Sequence, residues 1–212
     1  RCAVCDARGA LLCRPCRRAL PWVRGPVCPR CGDPDPRGRI RCPLCTRLGR
    51  SIGTARSALR LEAGGAAVVG AWKDAARAPV ADVAAACLLG CVPRPGADLL
   101  VPVPAARGRA AWRGVDWQLS LARLLGSAWG IPVRTDALVR IHEAPQRGRS
   151  APERRRNAMA AFVERGTVHG RVVLVDDVLT TGATARAAAL RLRRAGAEQV
   201  DLVTLARVAT IV

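Results

Sequence analysis

Residues 172–184 combine side chains that can bind a phosphorylated sugar. The apolar stretch 172–175 is followed by two adjacent carboxylates, Asp176 and Asp177, and residues 180–184 then carry hydroxyl groups and a glycine before a helical pattern begins. Backbone N–H groups at a helix N-terminus bind a dianionic phosphate, and a glycine lets the backbone approach it closely. Two carboxylates at the carboxyl end of a strand are placed to accept hydrogen bonds from a vicinal diol. The order of these residues therefore predicts neighbouring sites for a sugar and its phosphate.

Each of these residues also has a purely structural explanation. A carboxylate can end a buried strand, and a threonine can cap a helix. Two adjacent carboxylates beside four hydroxyl or glycine positions favour binding over capping. We expect Asp176 and Asp177 to bind the vicinal diol of the sugar. The residues expected to bind the phosphate are Thr180, Thr181, Gly182, Ala183 and Thr184.

Eight of the ten cysteines form four Cys-x-x-Cys pairs within the first 45 residues. The pairs are Cys2 and Cys5, Cys13 and Cys16, Cys28 and Cys31, and Cys42 and Cys45. Two thiolates three positions apart on a turn can hold one tetrahedral zinc ion from the same side, so four pairs predict two four-cysteine sites. Disulfides or reactive thiols are the alternative, and they need an oxidising compartment or a single redox pair. Consecutive pairing is the simplest arrangement, and an interleaved one stays open.

All four ligands of each predicted zinc site are cysteines. Such a site leaves no coordination position for water, so its zinc has a structural role and folds a segment too small for its own core. The remaining two cysteines, Cys87 and Cys91, lie at i and i+4 in a predicted helix. There they are expected to pack as small hydrophobic side chains rather than to bind a third metal.

The chain is strongly basic, with 35 arginine and lysine residues against 16 acidic residues and a formal net charge of +19. All of the 35 except Lys73 are arginine. Two zinc ions held by eight thiolates would leave a charge of about +15. This charge attracts polyanions such as single-stranded DNA, and it attracts small phosphorylated substrates as well. Charge alone does not distinguish these partners.

The sequence contains no candidate membrane span. No stretch reaches the roughly 18 to 20 apolar residues that crossing a bilayer requires, and the longest run, 80–92, is interrupted by Asp82. The first residues also lack the apolar region of a secretory signal. We therefore expect a cytoplasmic protein without membrane insertion.

The character of the sequence changes near residue 50. Residues 1–48 are rich in Cys, Pro, Arg and Gly and are interpreted as a double zinc ribbon, whereas 54–212 carry apolar periodic segments. The predicted strands are 55–61, 99–103, 131–133, 137–141, 158–163, 171–175 and 200–205. The predicted helices are 65–76, 79–91, 117–129 and 183–195. Strands without alternation that are joined by helices predict an α/β fold with a parallel sheet covered on both faces.

Two resemblances extend this interpretation. Residues 172–184 closely resemble the phosphoribosyl pyrophosphate (PRPP) motif of type I phosphoribosyltransferases at all thirteen positions. The whole chain resembles the ComF family, which is related to a competence protein of transformable bacteria. That resemblance is carried by the cysteine pairs, the Asp-Leu-Leu-Val-Pro-Val-Pro sequence at 98–104, Arg113, Gly114, Pro145, Gln146, Ser150, Glu153, Arg154, Asn157 and Phe162. It departs from the family at 61–77, where the typical basic and aromatic stretch is reduced to Trp72 and Lys73, and at 115–117, where Val-Asp-Trp stands in place of the frequent Phe-Asn-Gln.

The resemblance implies a type I phosphoribosyltransferase-like fold with a small N-terminal double zinc ribbon. Asp176 and Asp177 would hold the ribose hydroxyls, residues 180–184 would hold the 5-phosphate, and Mg²⁺ would bind together with PRPP. The resemblance further implies partners in the competence machinery, such as a helicase.

Two loops are assigned from the same resemblance. Residues 105–113 would bind the pyrophosphate, with Arg107 and Arg109 as candidates, because a guanidinium suits that anion. A solvated basic loop is the alternative. The polar segment 143–157 would form a flexible loop over the site, with Gln146 nearest the chemistry.

Two functions of different classes fit these features. As an enzyme, the protein would transfer a phosphoribosyl group from PRPP to a nitrogen acceptor, mainly through positioning and charge stabilisation. The alternative is a non-catalytic competence factor that uses the same fold to hold single-stranded DNA, with Trp22 and Trp112 as candidate stacking side chains. The family resemblance places either function in DNA uptake during natural transformation.

Overall fold

The structure, a computed structural model, describes residues 1–34, 42–73, 79–105, 116–141 and 161–209. The strands are β1 (Ala55–Arg60), β2 (Leu99–Pro102), β3 (Leu138–Arg140), β4 (Phe162–Glu164), β5 (Arg171–Leu179) and β6 (Gln199–Arg207). Four of them form one parallel sheet in the order β1-β6-β5-β2. The other two, β3 and β4, form a separate antiparallel pair.

Helices are formed on both sides of this sheet. They are α1 (Arg14–Ala19), α2 (Pro43–Leu48), α3 (Ala63–Trp72), α4 (Val80–Leu89), α5 (Trp117–Trp129) and α6 (Ala183–Arg194). Helix α5 has the predicted bounds, because the Asp116 side chain accepts a hydrogen bond from the Leu119 N–H at its start and Gly130 is left-handed at its end. None of the helices in the described part of the chain has both the length and the apolar character to span a membrane.

Strand β5 is buried on both faces. Val173 and Val175 contribute to the core on one face, which α3, α4 and α5 cover. Val172 and Leu174 contribute to the core on the opposite face, which α2, α6 and the β3–β4 pair cover. A parallel strand between two helical layers has this continuous apolar sequence because neither face meets water. The predicted α/β fold class is confirmed.

The N-terminal segment covers the outer edge of β1. Trp22 forms an antiparallel bridge with Leu59, and the Val23 N–H donates to the Ala58 carbonyl at 2.9 Å. An unpaired strand edge is a template for association with other chains, so this pairing protects the sheet. The division into residues 1–48 and 54–212 stays a prediction, since side chains from both parts share the same cores.

The observed strands differ from the predicted ones in three main places. Strand β5 extends to Leu179 rather than ending at residue 175, because its pairing with β6 continues to that residue, so Asp176 and Asp177 lie within the strand and not after it. Residues 131–133 form only a single bridge, from Val133 to Leu100, because Pro132 has no N–H to donate. The β4 strand begins at Phe162, and residues 158–160 of the predicted strand lie outside the described residues.

A buried ion pair joins the N-terminal segment to the sheet. The Arg207 guanidinium, at the end of β6, donates to Asp33 Oδ1 at 3.0 Å and to the Cys31 carbonyl at 2.6 Å. The Arg207 side chain is fully buried and that of Asp33 is 3% exposed.

We expect Asp33→Ala to lower the free energy of unfolding by about 3–5 kcal/mol, because the variant leaves a buried guanidinium without its counter-charge. Urea-induced unfolding measures this change. Glu62→Ala is the control, since it removes an exposed ion pair with Arg60 and should change stability by at most about 1 kcal/mol. Equal effects in the two variants would contradict the role of the buried pair.

Candidate functional site

Asp176 and Asp177 lie near the carboxyl end of β5, between β2 and β6. Asp176 is opposite Thr204 of β6 in the strand register. On the other side, the Val103 N–H donates to the Val175 carbonyl at 2.9 Å. Asp176 is 8% exposed and the Asp177 side chain is 17% exposed. The carboxylate pair therefore lies at the sheet edge where open α/β folds bind ligands.

The carboxyl group of Asp176 binds its proton unusually tightly. Burial raises the pKa of Asp176 to about 8, and the neighbouring Asp177 carboxylate acts in the same direction. Hydrogen bonds from the Asp177 N–H, at 2.8 Å, and from the Gln118 side chain oppose this rise in pKa. At neutral pH Asp176 is therefore mostly protonated, and a ligand that prefers the ionised form of Asp176 competes with its proton.

Two residues that the sequence analysis did not select also belong to this site. Lys73 Nζ forms an ion pair with Asp177 Oδ2, and Gln118 reaches Asp176. The preceding residues, Trp72 and Trp117, pack edge to face with ring centroids 6.4 Å apart. This contact joins the end of α3 to the start of α5 and brings both polar side chains to the carboxylates. The feature of the sequence that could have indicated Lys73 is that it is the only lysine of the chain.

Residues 180–184 connect β5 to α6. Gly182 precedes the helix with a φ of +79°, in the left-handed region that favours glycine. Thr181 Oγ1 accepts a hydrogen bond from the Ala183 N–H at 3.4 Å. The first N–H groups of α6 have no carbonyl partner within the helix, so they are available to an anion. Thr180 and Thr181 are exposed, which leaves their hydroxyls accessible from solvent.

A small cavity lies behind this loop, among Asp176, Thr180, Thr184 and Thr204. Its volume of about 20 Å³ is close to that of one water molecule.

Four of the predicted binding residues lie outside the described part of the chain: Arg107, Arg109, Trp112 and Gln146. The described residues that flank their segments are close to one another. Arg140 Nη1 donates to the Pro104 carbonyl at 3.4 Å, and the Ile141 N–H donates to the Ala161 carbonyl at 2.9 Å. The two segments assigned to pyrophosphate binding and to the flexible loop therefore leave the described structure near each other.

The eight paired cysteines form two groups of four. The groups are Cys2, Cys5, Cys13 and Cys16, and Cys28, Cys31, Cys42 and Cys45. Within each group all sulfur atoms lie within 4.8 Å of one another, which shows consecutive rather than interleaved pairing. Tetrahedral thiolates about 2.3 Å from zinc are roughly 3.8 Å apart, and the Cys5 and Cys13 sulfurs are 3.7 Å apart. The donor type and spacing of both groups fit zinc.

Cys87 packs in the core, as expected for a thiol on the buried side of α4. Burial raises the pKa of Cys87 to about 12, so it stays protonated at neutral pH. Cys91 lies just beyond the end of the helix and is exposed.

Comparison with known proteins supports the interpretation of both parts of the chain. Residues 131–210 match the phosphoribosyl transferase domain family, and this range contains the carboxylate pair and the loop after it. Competence protein F of Haemophilus influenzae is 36% identical over 115 residues, which are 52% of this chain and 50% of that protein. Competence protein ComFC of Bacillus subtilis is 27% identical over 216 residues, covering 92% of this chain and 84% of that protein. The chain thus spans about half the length of the Haemophilus protein.

Among solved structures, the chain is similar to the glutamine PRPP amidotransferase of B. subtilis in its complex with ADP and GMP. The two are 26% identical with a TM-score of 0.40, and the match covers 68% of this chain and 28% of the amidotransferase. At this score, the fold assignment depends on the strand order and the family match.

The parallel sheet, the carboxylate pair with its following loop and the family match define a phosphoribosyltransferase-type domain. In this chain the domain is preceded by two four-cysteine clusters that can hold zinc. In sequence, the chain is similar to the two competence proteins.

The raised pKa of Asp176 predicts a pH-dependent stability. Aspartate in an unfolded chain titrates near pH 4, so the stability that Asp176 contributes is present at acid pH and is lost as the pH rises to about 8. Asp176→Asn should therefore raise the melting temperature more at pH 9 than at pH 6. Carboxyl ¹³C NMR should show a midpoint near 8 in the unmodified protein and a lower one in Asp177→Asn. A wild-type midpoint near 4 would contradict the burial effect.

Proposed function

We propose that this protein binds PRPP, or another ribose 5-phosphate ligand, at the carboxylate pair and the loop that follows it. The observation that carries the proposal is the position of Asp176 and Asp177 near the end of β5. A short loop follows this strand and leads into the N-terminus of α6. The ribose hydroxyls donate to the carboxylates, and residues 180–184 bind the 5-phosphate through N–H and hydroxyl groups.

In the proposed reaction, a nitrogen nucleophile displaces pyrophosphate from C1 of the ribose through an oxocarbenium-like transition state. The new bond joins nitrogen to C1, and the bond from C1 to the pyrophosphate oxygen breaks with its electron pair leaving on the pyrophosphate. When bound together with PRPP, Mg²⁺ would supply neutralisation of the charge that develops on the pyrophosphate. The chain itself supplies positioning and cationic groups, with Arg107 and Arg109 assigned to the leaving group.

Lys73 has a place in this proposal as the counter-ion of Asp177. Its ammonium group pairs with the Asp177 carboxylate and stabilises the charge of that group beside Asp176. When ribose hydroxyls and a cation approach the carboxylates, the ammonium can turn toward the phosphate or pyrophosphate groups. This arrangement keeps a positive charge beside the ligand throughout binding.

The biological setting that we propose is DNA uptake in natural transformation. It is supported by the names of the two relatives, both of which are competence proteins. A cytoplasmic location and partners in the competence machinery, such as a helicase, belong to the same proposal.

The ribose-phosphate site is tested by calorimetric titration of Mg²⁺ and PRPP into the wild type and into Asp176→Asn/Asp177→Asn. We expect saturable binding to the wild type and no measurable binding to the double variant, because both acceptors of the diol are lost. Moderate salt suppresses nonspecific attraction of the anion to the basic surface.

The matched control is Asp136→Asn/Glu198→Gln, which removes two exposed acidic charges away from the site. It should bind PRPP like the wild type. No binding to the wild type would overturn the proposed function, and equal loss in both double variants would assign the effect to net charge.

A second candidate function is binding of single-stranded DNA. It is favoured by a groove between α4 and the first four-cysteine cluster, which consists of Cys2, Cys5, Cys13 and Cys16. The groove has a volume of about 610 Å³, and Arg17, Arg18, Trp22 and Arg24 line it on one side. The three arginines are exposed and Trp22 is half-buried. A basic groove with an aromatic side chain binds the backbone and stacks the bases of a single strand.

The Trp22 ring is held in position for stacking. Its Nε1 donates to the Arg17 carbonyl at 2.9 Å, and the Arg24 guanidinium lies 5.8 Å from the ring centroid. A base that stacks on the ring would displace Arg24 toward a phosphate. The groove thus offers both contacts that a nucleotide needs, at a site separate from the carboxylate pair.

The groove is tested by the salt dependence of oligonucleotide binding, measured by fluorescence anisotropy. Arg18→Ala/Arg24→Ala should reduce the slope of log K against log[salt] by about 0.7 per lost phosphate contact. The control Arg123→Ala/Arg194→Ala removes two exposed arginines outside the groove and should keep the wild-type slope. Equal slopes in the two variants would show that binding depends on overall charge alone.

A further inference from the structure

The second four-cysteine cluster consists of Cys28, Cys31, Cys42 and Cys45. The loop that follows β5 packs against α2, the helix that carries Cys45. A Cβ atom on Gly182 would lie 2.6 Å from Leu48 Cδ2 and 3.7 Å from Leu44 Cδ1. Both leucines belong to α2, which begins next to the ligand Cys42, and both are 1% exposed. The backbone of the loop therefore rests on two side chains that the cluster itself holds in place.

The Cys28–Cys31 half of the same cluster is attached to the end of β6, the strand that pairs with the end of β5. The Cys31 carbonyl accepts a hydrogen bond from Arg207 at 2.6 Å. Arg207 is opposite Leu179 in the register of β6 and β5, and the Val208 N–H donates to the Leu179 carbonyl at 2.9 Å. Leu179 is the last residue of β5 before the loop. The Cys28–Cys31 turn thus contacts the end of β6, which pairs with the strand end from which the loop begins.

The two halves of the cluster meet at the sulfur atoms and at one arginine. The Cys28 and Cys45 sulfurs are 3.5 Å apart, and those of Cys31 and Cys42 are 3.4 Å apart. Arg30, within the first turn, donates to the Cys45 carbonyl at 3.2 Å. A metal ion at the four sulfurs would fix the distance between the strand end and α2, and with it the position of the loop.

The first four-cysteine cluster packs elsewhere. Its helix α1 is followed by Leu20, whose Cδ2 would lie 3.3 Å from a Cβ atom on Gly64 in α3. Leu20 is 5% exposed and belongs to the core on the opposite face of the sheet. The two clusters therefore provide a comparison within one chain: each buries a leucine against a glycine, Gly64 within α3 and Gly182 in the loop before α6.

We propose that the second four-cysteine cluster is a positioning element for the anion-binding loop, with Leu48 as the contacting residue. Zinc at this cluster holds α2 and the Cys28–Cys31 turn so that the loop keeps the backbone conformation that binds a phosphate group. Loss of zinc or of the Leu48 side chain loosens the loop. This inference rests on the proposed ribose 5-phosphate site, and it adds a dependence of that site on zinc at one cluster only.

The first arm of the test compares Leu48→Ala with Leu20→Ala in the full chain. Calorimetry with ribose 5-phosphate measures the Kd, hydrogen exchange measures opening of residues 176–186, and elemental analysis measures zinc per chain. We expect Leu48→Ala to keep both zinc ions, to raise the Kd about tenfold or more, and to speed exchange in the loop. Leu20→Ala should keep the wild-type Kd and the wild-type rate of loop exchange. The conservative variant Leu48→Met should keep both as well.

The second arm removes one metal at a time. Cys45→Ser and Cys5→Ser should each lower the zinc content from two ions to one. Only Cys45→Ser should raise the Kd for ribose 5-phosphate and the exchange rate of residues 176–186. If Cys45→Ser fails to fold, Leu48→Ala with both metals bound still decides the question.

The outcomes separate this inference from the proposed function. If the wild type binds neither PRPP nor ribose 5-phosphate, the proposed function fails, and the exchange measurements alone decide whether the cluster positions the loop. Unchanged exchange and Kd in Leu48→Ala would overturn the inference. Equal changes in Leu20→Ala would overturn it as well, because they would reflect general destabilisation of the core.

Discussion

The burial of β5 on both faces and along both edges is the constraint on which the site depends. Its apolar residues 172–175 meet a helical layer on each side, and its backbone is paired with β2 and β6. Polar side chains on such a strand can reach ligands only at its carboxyl end. Asp176 and Asp177 lie there, and the cost of their partial burial is visible in the raised pKa of Asp176.

An ammonium group and a side-chain amide stabilise this pair of carboxylates. Lys73 from the end of α3 pairs with Asp177, and Gln118 from the start of α5 bonds to Asp176. Both residues directly follow tryptophans that pack edge to face, so the apolar contact of Trp72 with Trp117 sets the position of the polar groups. Core packing and site electrostatics are therefore linked on one face of the sheet.

The N-terminal clusters connect to both faces of the domain. The first cluster contributes Leu20 to one core, and the second contributes Leu44 and Leu48 to the other. Between them, residues near Trp22 pair with β1. A four-cysteine zinc site folds a segment that cannot form a core of its own, and here the folded segment completes the cores and covers the sheet edge of a larger domain.

The sequence by itself determined the fold class, the eight cysteines that can hold metal ions and the segment 172–184, because each depends on local spacing. Apolar runs predict buried strands, Cys-x-x-Cys turns predict metal ligands, and a carboxylate pair before a glycine loop predicts an anion site. Only the tertiary structure decided the consecutive pairing of the cysteines and the contacts of Lys73 and Leu48. These contacts join residues more than 100 positions apart, and no local pattern specifies which distant side chains a folded sheet edge brings together.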